Sequence, residues 1–359
     1  MLLILAGVAV AVAQRKPPST ASRTTPTGSR STPTGSRSTP AATGPTGRTP
    51  APKATPTSRR LAGGPITLYE HPSDPVRLTS YELYDKKSDE WVDYARRSLS
   101  GPFTKYAGNW ESRVSPDGRY LAVRGRTYTS DDHDSILVTD RRSGTSFSVK
   151  TVRDPLISSI RAWSRDSSKI LLNIEKKVKA KNGEHDWIYP GFVIIDVAGA
   201  KAQVKIVPGG STRTTGFGWD SEEAGVVNVA GDKEGLRFYD ASGKYVRELA
   251  NVGPLPSGTQ DIFSPSGELF VTDCPRGGGG DHCVWDTGTG EKVHAFSSDC
   301  DKVLGWYDET RVYCWEQDNS AKDEIQVVGF DGKLVRRLLD TPGDLDLSPV
   351  FTANPTRGS

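Results

Sequence analysis

Two series of residues alternate along this chain, and together they require a fold built from repeated β-sheets. In the first series an apolar residue precedes a turn, at Val114, Trp163, Trp219, Phe263 and Trp306. In the second series an aspartate ends a short apolar run, at Asp140, Asp196, Asp240, Asp286 and Asp331. Each apolar residue is followed by its aspartate 21 to 33 residues later. A repeat of this length, with several strands in each unit, is typical of a β-propeller.

The two ends of the repeat region predict the number of blades. The segment 347–351 begins a further unit 41 residues after Trp306, but no aspartate follows it. The segment 81–94 is the second half of a unit without a first half. Either half alone would leave a sheet edge unpaired, and joining them removes both edges. We therefore expect an all-β propeller of six four-stranded blades, closed by N- and C-terminal strands. Seven blades remain open if the stretch 66–110 contains one more.

Local turn chemistry agrees with this repeat. Ser115-Pro116-Asp117-Gly118 fits a tight turn, because proline fixes φ, aspartate accepts hydrogen bonds from its own backbone and glycine adopts positive φ. The segment 286–290, Asp-Thr-Gly-Thr-Gly, fits a hairpin turn between the last two strands of a unit. The repeated aspartates are therefore interpreted as turn formers, and the repeated tryptophans as core between blades.

These motifs resemble the TolB-like and WD40-like propeller repeats of bacterial cell-envelope proteins. The resemblance covers residues 65–355 and rests on the Ser-Pro-Asp-Gly turn and the Asp-x-x-[Ser/Thr]-Gly hairpin. Of the Trp-Asp pairs that mark eukaryotic WD40 repeats, only Trp285-Asp286 is present, which favours the TolB-like side. The resemblance implies the propeller fold and a protein that binds proteins or peptides through varied loops. Fold alone does not fix function.

Composition divides the chain into three regions. Residues 1–13 are wholly apolar but too few to span a bilayer, which needs about 20 residues. Two interpretations stay open for them, a truncated membrane anchor and an atypical signal segment. Residues 14–62 are rich in Ser, Thr, Pro, Gly and Arg, and predict a disordered linker. Residues 63–359 form the predicted propeller domain.

Charge is divided in the same way. The linker holds nine Lys or Arg and no acidic residue, which leaves 37 basic and 44 acidic residues in the remainder. The formal net charge of +2 therefore combines a basic tether with an acidic head. An acidic head argues against nucleic-acid binding. The basic tether suits an anionic wall polymer or lipid surface, with plain solubility as the alternative.

Four cysteines form two local pairs in the last third of the chain, Cys274 with Cys283 and Cys300 with Cys314. An even number at matched local spacing predicts two disulfides and a compartment outside the cytoplasm. Two alternatives stay open. One is reduced structural thiols, and the other is zinc bound by Cys274, His282 and Cys283, although the CxxC and HxxxH spacings are absent.

Motifs for catalysis are missing from the sequence. It contains no GxSxG nucleophile elbow, no HExxH zinc motif and no phosphate-binding P-loop. The segment 131–134, Asp-Asp-His-Asp, fits a calcium site, a contact for a basic partner or a plain solvated loop. We therefore expect no catalytic, cofactor or metal residues.

These observations predict a non-catalytic binding or scaffold module, monomeric, extracytoplasmic and either membrane-anchored or secreted. The expected partner is an envelope protein or a wall polysaccharide. The insertions 124–135 and 173–191 are expected to be long loops that project from one rim of the ring. The candidate recognition residues in them are Tyr128, Asp131, Asp132, His133, Asp134, Lys181, His185, Asp186, Trp187 and Tyr189. The alternative is a carbohydrate-active or other hydrolytic enzyme, which requires acidic residues converging in the funnel.

Overall fold

Each repeat of the sequence is one antiparallel sheet in which consecutive strands are hydrogen-bonded neighbours. A computed structural model describes residues 56–179, 185–208, 216–229, 235–255, 261–317 and 322–354. Five strands precede the first complete repeat: β1 (Thr57–Arg60), β2 (Thr67–Glu70), β3 (Val76–Asp85), β4 (Glu90–Arg96) and β5 (Phe103–Lys105).

Three blades each take four strands from one continuous segment. Blade 1 comprises β6 (Asn109–Val114), β7 (Tyr120–Gly125), β8 (His133–Asp140) and β9 (Ser146–Arg153). Blade 2 comprises β10 (Ile157–Trp163), β11 (Lys169–Lys179), β12 (His185–Asp196) and β13 (Lys201–Ile206). Blade 3 comprises β14 (Gly218–Trp219), β15 (Gly225–Val229), β16 (Leu236–Asp240) and β17 (Tyr245–Leu249). The first strands of these blades contact one another, so they line the axis of the ring.

The next two blades follow the same order. Blade 4 comprises β18 (Leu269–Asp273), β19 (Asp281–Asp286) and β20 (Lys292–Ser297), and its inner position is held by a single bridge between Phe263 and Phe270. Blade 5 comprises β21 (Lys302–Asp308), β22 (Arg311–Glu316), β23 (Lys322–Gly329) and β24 (Leu334–Pro342).

The two chain ends share the sixth blade. The last strand, β25 (Leu347–Ala353), pairs antiparallel with β3, from Leu347 opposite Leu83 to Ala353 opposite Val76. Blade 6 therefore consists of β25, β3, β4 and β5 in that order. The prediction of a six-bladed propeller closed by N- and C-terminal strands is confirmed, and the seven-bladed alternative is wrong. None of the described residues belongs to a helix with the length and apolar character of a membrane span.

An N-terminal hairpin covers the outer edge of blade 5. Strand β1 pairs with β2, and β2 pairs with β24 through Thr67 opposite Asp340 and Leu68 opposite Leu339. Such pairing removes an exposed sheet edge. The predicted linker 14–62 included Thr57–Arg60, which the structure places in this strand, so the folded head begins earlier than expected. The remaining linker residues up to 55, and the apolar residues 1–13, lie outside the described part of the chain.

The repeated tryptophans lie between blades, as predicted. Trp163, Trp219 and Trp306 are all buried. The indole nitrogen of Trp163 donates to the carbonyl of Arg113 at 3.1 Å, and that of Trp306 donates to the carbonyl of Ile262 at 3.0 Å. Each acceptor lies in the preceding blade, so these bonds connect neighbouring inner strands. The indole nitrogen of Trp219 has no hydrogen-bond partner among the described residues.

The repeated aspartates close hairpin turns. The Oδ1 atom of Asp140 accepts from the backbone nitrogen of Arg142, that of Asp240 accepts from Ser242, and that of Asp286 accepts from Thr289. Asp196 and Asp331 make the equivalent bond to the residue two positions later. Their interpretation as turn formers is confirmed, because each carboxylate organises the turn that follows it.

Both predicted disulfides are formed. Cys274, directly after β18, is bonded to Cys283 in β19, and Cys300, just before β21, is bonded to Cys314 in β22. No described cysteine is left unpaired. The two alternatives, reduced thiols and a zinc site at Cys274, His282 and Cys283, are therefore wrong for this structure.

Candidate functional site

Antiparallel strands alternate in direction, so two kinds of connection emerge on the same side of the ring. One joins strands two and three of a blade, and the other joins one blade to the next. In blades 6, 1 and 2 this side is formed by residues 86–89, 106–108, 126–132 and 154–156, which we call the insertion face. The hydroxyl of Tyr128 donates to the carbonyl of Leu156 at 3.3 Å, joining the loop of blade 1 to the link with blade 2.

The predicted loop 173–191 is largely a hairpin. Strand β11 continues to Lys179 and β12 begins at His185, and the two strands pair from Lys176 opposite Ile188 to Lys179 opposite His185. The expectation of a long loop is therefore wrong here. Residues 180–184, with the candidate Lys181, lie outside the described residues. The insertion 124–135 is likewise shorter than expected, because β7 ends at Gly125 and β8 begins at His133.

Among the candidates in blade 1, Asp134 is a structural residue. It is buried, and its Oδ2 atom accepts from Arg124 Nε at 3.0 Å and from the backbone nitrogen of Ser158 at 2.8 Å. A carboxylate engaged in this way ties blade 1 to blade 2 and offers nothing to a partner. Its selection as a recognition residue is therefore not supported.

The other acidic candidates of blade 1 are exposed. Asp131 accepts from Lys150 Nζ at 2.8 Å and from Thr129 Oγ1 at 2.7 Å, and both bonds lower the pKa of its carboxyl. The ring nitrogen Nδ1 of His133 lies 3.3 Å from Asp131 Oδ2, and Asp132 lies 3.6 Å from Arg153. Within the described residues, no group of three or more His, Cys, Asp or Glu side chains is arranged to hold a metal ion. The calcium interpretation of 131–134 therefore has no support.

The candidates in blade 2 separate into exposed and inward-facing residues. Trp187 is exposed, and Asp186 accepts from its backbone nitrogen at 2.9 Å. Tyr189 is partly buried, and burial raises the pKa of its hydroxyl, with Glu175 and Arg161 as charged neighbours. Tyr189 therefore lies close enough to Arg161 of the inner strand β10 to be affected by its charge. His185 lies opposite Lys179 at the described end of the hairpin.

Two further tryptophans on the insertion face were missed by the sequence reasoning. Trp91 is the second residue of β4, Trp110 is the second residue of β6, and one guanidinium connects them. Arg126 Nη2 donates to the carbonyl of Trp91 at 2.8 Å, and Arg126 Cζ lies 4.5 Å from the centroid of the Trp110 ring. Arg126 also donates from Nε to the carbonyl of Asn109 at 3.3 Å and pairs with Glu90 at 3.1 Å. Each of them follows a polar residue, Glu90 or Asn109, at the start of its strand, whereas the buried Trp163 and Trp219 end their strands.

The exposed aromatic residues of this face form a series over three consecutive blades. We call it the aromatic arc: Trp91 of blade 6, Trp110 and Tyr128 of blade 1, and Trp187 of blade 2. Each of the four side chains is between 36% and 39% exposed. Among the described residues the remaining exposed large aromatic is Tyr245, at 52%, which lies on the outer strand β17 of blade 3.

Buried or partly buried charged residues join blades 6, 1 and 2. Glu111 Oε1 accepts from the backbone nitrogen of Ile160 at 2.8 Å, and its other oxygen lies 3.5 Å from Arg113 Nη2. Arg113 also pairs with Glu82 at 2.9 Å. Burial raises the pKa of Glu111 to about 8. Asp93 accepts from Ser112 Oγ, and burial raises its pKa to about 6.

A second pair of carboxylates lies nearer the opposite opening of the channel. Glu223 accepts with both oxygens from the backbone nitrogen of Arg165, at 3.0 and 2.8 Å, and burial raises its pKa to about 7. Asp261 lines the same cavity. Burial raises its pKa as well, and the charges of Arg165 and Arg161 oppose that shift. Acidic residues therefore do converge on the axis.

Comparison with known proteins gives likenesses of fold. No protein-family model matches the chain, and no curated protein matches it. TolB from Acinetobacter baumannii is 12% identical, with a TM-score of 0.47 over 83% of this chain and 82% of that chain. The β-propeller domain of the Trilobed protease from Pyrococcus furiosus is 16% identical, with a TM-score of 0.43 over 78% and 84%. An oligogalacturonate lyase in complex with manganese is 12% identical, with a TM-score of 0.45 over 79% and 84%. With TM-scores below 0.5 and identities of 12% to 16%, the comparisons show a likeness of fold and assign no function.

Proposed function

We propose that this chain is a non-catalytic recognition module that works outside the cytoplasm and contacts its partner through the insertion face. The observation that carries the proposal is the aromatic arc. Tryptophan, tyrosine and arginine are the residues that dominate binding energy at protein contacts. A series of exposed aromatic side chains on consecutive blades is apolar surface for which a monomeric ring has no structural need.

The arc is held in place before any partner arrives. Arg126 fixes the backbone of Trp91 and lies over the ring of Trp110, while Glu90 and Asn109 hold Arg126 itself. Tyr128 is anchored by its bond to Leu156. Side chains that are already ordered lose less conformational entropy on binding. This preorganisation supports a recognition role for the face.

The two disulfides support an oxidising compartment. With the TolB-like sequence motifs, they favour an envelope protein that is anchored by residues 1–13 or secreted. The partner on this proposal is another envelope protein or a wall polysaccharide, and the ring acts as a monomer. The charged residues beside the arc, Asp131, Asp132 and His133, contribute polar contacts at its rim.

The test uses the full chain, produced in an oxidising compartment and immobilised. One arm presents solubilised envelope proteins and the other presents purified wall polysaccharide. The double variant Trp110→Ala/Trp187→Ala removes the middle and one end of the arc, and Tyr245→Ala is the matched control on an exposed aromatic elsewhere. We expect saturable binding in one arm that falls at least tenfold in the arc variant and is unchanged in the control. Equal binding by both variants, or no binding in either arm, would contradict the proposal.

One observation favours the enzymatic alternative. Glu223 and Asp261 line one cavity, both have raised pKa values, and a raised carboxyl pKa suits a general acid. Against this role, both oxygens of Glu223 already accept from Arg165. Release of reducing ends from wall polysaccharide, lost in Glu223→Gln and kept in Trp110→Ala/Trp187→Ala, would establish this second function in place of the first.

A further inference from the structure

Arg161 differs from its neighbours because nothing among the described residues accepts from its Nε atom. It lies on the inner strand β10, where the pairing with β11 passes from Ile160 to Ala162 and leaves Arg161 at a bulge. Bulges turn a side chain away from the regular sheet positions, and they are frequent next to functional sites. The Nε atom of Arg161 is buried and has no hydrogen-bond partner in the described part of the chain. Burial lowers the pKa of the guanidinium.

The other arginines of the channel are engaged. Arg113 pairs with Glu82 and Glu111. Arg165 donates from Nη2 to the carbonyl of Ser264 at 2.9 Å, and its Nε lies 3.7 Å from Glu223. Arg161 has no such acceptor at Nε among the described residues, and the carboxylate of Asp261 in the same cavity supplies the opposite charge that acts on it. A buried cation whose hydrogen bonds are incompletely used is a candidate for a functional site. Arg161 therefore has the character of a ligand-binding residue.

Space for a ligand lies directly beside Arg161. A small cavity of about 60 Å³ is lined by Arg113, Arg161, Asp261 and Thr352. It adjoins a larger cavity of about 740 Å³, with which it shares Pro116, Arg165, Asp261 and Ala353. The larger cavity opens among the turns between first and second strands, on the side of the ring opposite the insertion face; we call this opening the turn-side mouth. A ligand can thus extend from the mouth to the guanidinium.

A tyrosine from the second layer of strands lies near enough to Arg161 and Asp261 for their charges to act on it. Tyr313 lies on β22, behind the inner strand β21, and its hydroxyl passes the backbone of Gly305. A Cβ atom at Gly305 would lie 2.6 Å from that hydroxyl, so any larger residue would block it. The charges of Asp261 and Arg161 act on Tyr313, and burial keeps its pKa well above the usual value. The hydroxyl therefore stays protonated and can donate.

The turn-side mouth itself is mostly apolar. Its lining includes Pro75, Pro116, Pro265, Phe263, Trp306 and Tyr307. The carboxylates at its rim already have partners, since Glu309 accepts from the backbone nitrogen of Ser266 at 2.6 Å and Asp308 pairs with Arg311. Because the rim carboxylates are engaged, this lining offers few polar partners to the many hydroxyl groups of a sugar, whereas its apolar surface can hold the side chains of a peptide.

We propose that Arg161 and Tyr313 form a binding site for the C-terminal carboxylate of a peptide that enters through the turn-side mouth. A guanidinium binds a carboxylate through two parallel hydrogen bonds, and a buried location strengthens them. The tyrosine hydroxyl adds a third donor. The peptide residues before the terminus occupy the larger cavity. This site is separate from the aromatic arc and does not depend on the function proposed for it.

Calorimetry on the full chain with the tripeptide Ala-Ala-Ala tests the site. The probe is compared with its C-terminal amide, which has the same size without the negative charge. The test variant is Arg161→Met, which keeps most of the side-chain length, and the control is Arg153→Met at an exposed position in blade 1. We expect the amide and Arg161→Met each to weaken binding at least tenfold. Arg153→Met and Trp110→Ala/Trp187→Ala should bind as the unmodified chain does.

A thermal unfolding curve separates loss of binding from loss of fold. Without peptide, Arg161→Met should unfold cooperatively and at a temperature near that of the unmodified chain, because no hydrogen bond from Arg161 Nε to a described residue is lost and Arg165 remains as an opposite charge for Asp261. Equal binding of acid and amide, undiminished binding by Arg161→Met, or no binding of the acid would overturn the proposal. Binding of tri-galacturonate with no response to Ala-Ala-Ala would overturn the peptide assignment.

Discussion

At the scale of single residues, the hydrogen bonds between blades can be measured by comparing equivalent tryptophans. Trp306→Phe keeps an aromatic ring in place but leaves the carbonyl of Ile262 without its donor. Trp219→Phe makes the same change where the indole has no partner to lose. We expect the free energy of unfolding to fall by about 1–2 kcal/mol more for Trp306→Phe than for Trp219→Phe. Urea titration of both variants gives this difference, and equal losses would show that the bond contributes nothing.

Residues whose role depends on nearby sequence were predicted well, and those whose role depends on distant pairing were not. Asp286 organises a turn by accepting from the backbone nitrogen and the hydroxyl of Thr289, three positions away, so its role follows from the local motif. Trp110 and Trp306 both lie on the first strand of a unit, yet one is exposed and the other buried. Trp110 lies at the start of its strand on the insertion face, whereas Trp306 lies further along its strand and packs against blade 4. The position of Arg161, whose Nε has no acceptor among the described residues, depends likewise on a bulge between β10 and β11. Such a bulge has no signature in the sequence.

At the scale of elements, the hairpin β11–β12 shows why a strand was mistaken for a loop. Its outer part runs Lys176-Lys177-Val178-Lys179, with few apolar residues and no strict alternation. Strand prediction relies on alternation between a buried and an exposed face. Lys176, Lys177 and Lys179 are exposed and Val178 is partly buried, because the hairpin extends beyond the ring. The same reasoning applies to β1, whose four residues are all exposed.

The disulfide of blade 5 provides a prediction at this scale. Cys300–Cys314 closes a loop of 14 residues between the start of β21 and β22, and both cysteines are buried. We expect Cys300→Ala/Cys314→Ala to lower the free energy of unfolding by about 2–4 kcal/mol, since the unfolded chain regains the freedom that the crosslink removed. Cys274→Ala/Cys283→Ala, with a shorter loop, should cost less. Urea titrations with and without reductant measure these differences. If reductant lowered the free energy of unfolding of Cys300→Ala/Cys314→Ala as much as that of the unmodified chain, this disulfide would contribute nothing and the prediction would be wrong.

At the scale of the whole molecule, the ring itself was the easiest feature to predict. The half units at 81–94 and 347–351 complement each other, and the structure joins them as β3, β4 and β25. The chemistry of the channel was not predictable, because Glu111, Arg161 and Asp261 lie 50 to 150 residues apart. Only the closed ring brings such residues together, and only the strand registers decide which of them face the axis.

Three buried or partly buried carboxylates make the stability of the ring depend on pH. Because burial raises their pKa values, it also determines whether stability rises or falls with pH. Asp93, Glu111 and Glu223 have pKa values raised to about 6, 8 and 7 respectively, against roughly 4 in an unfolded chain. Between pH 5 and 8 the folded chain therefore holds more protons than the unfolded chain. The free energy of unfolding must then fall as the pH rises through this range. Carboxylates with a lowered pKa, such as Asp140 at about 2, change the stability only at more acidic pH, where they become protonated.

Urea titrations at pH 5.5, 6.5 and 8 test this sign, and Glu111→Gln identifies the main contributor. The amide oxygen can still accept from Ile160, but it carries no charge to desolvate. With the three pKa values above, we expect the unmodified chain to lose on the order of 6 kcal/mol between pH 5.5 and 8, about half of it through Glu111. The variant should lose less and be the more stable of the two at pH 8, provided Glu82 alone suffices as a partner for Arg113. Stability that rises with pH in the unmodified chain would mean that the ion pairs with Arg113 outweigh the burial of Glu111, because each group then stabilises the ring in its charged form.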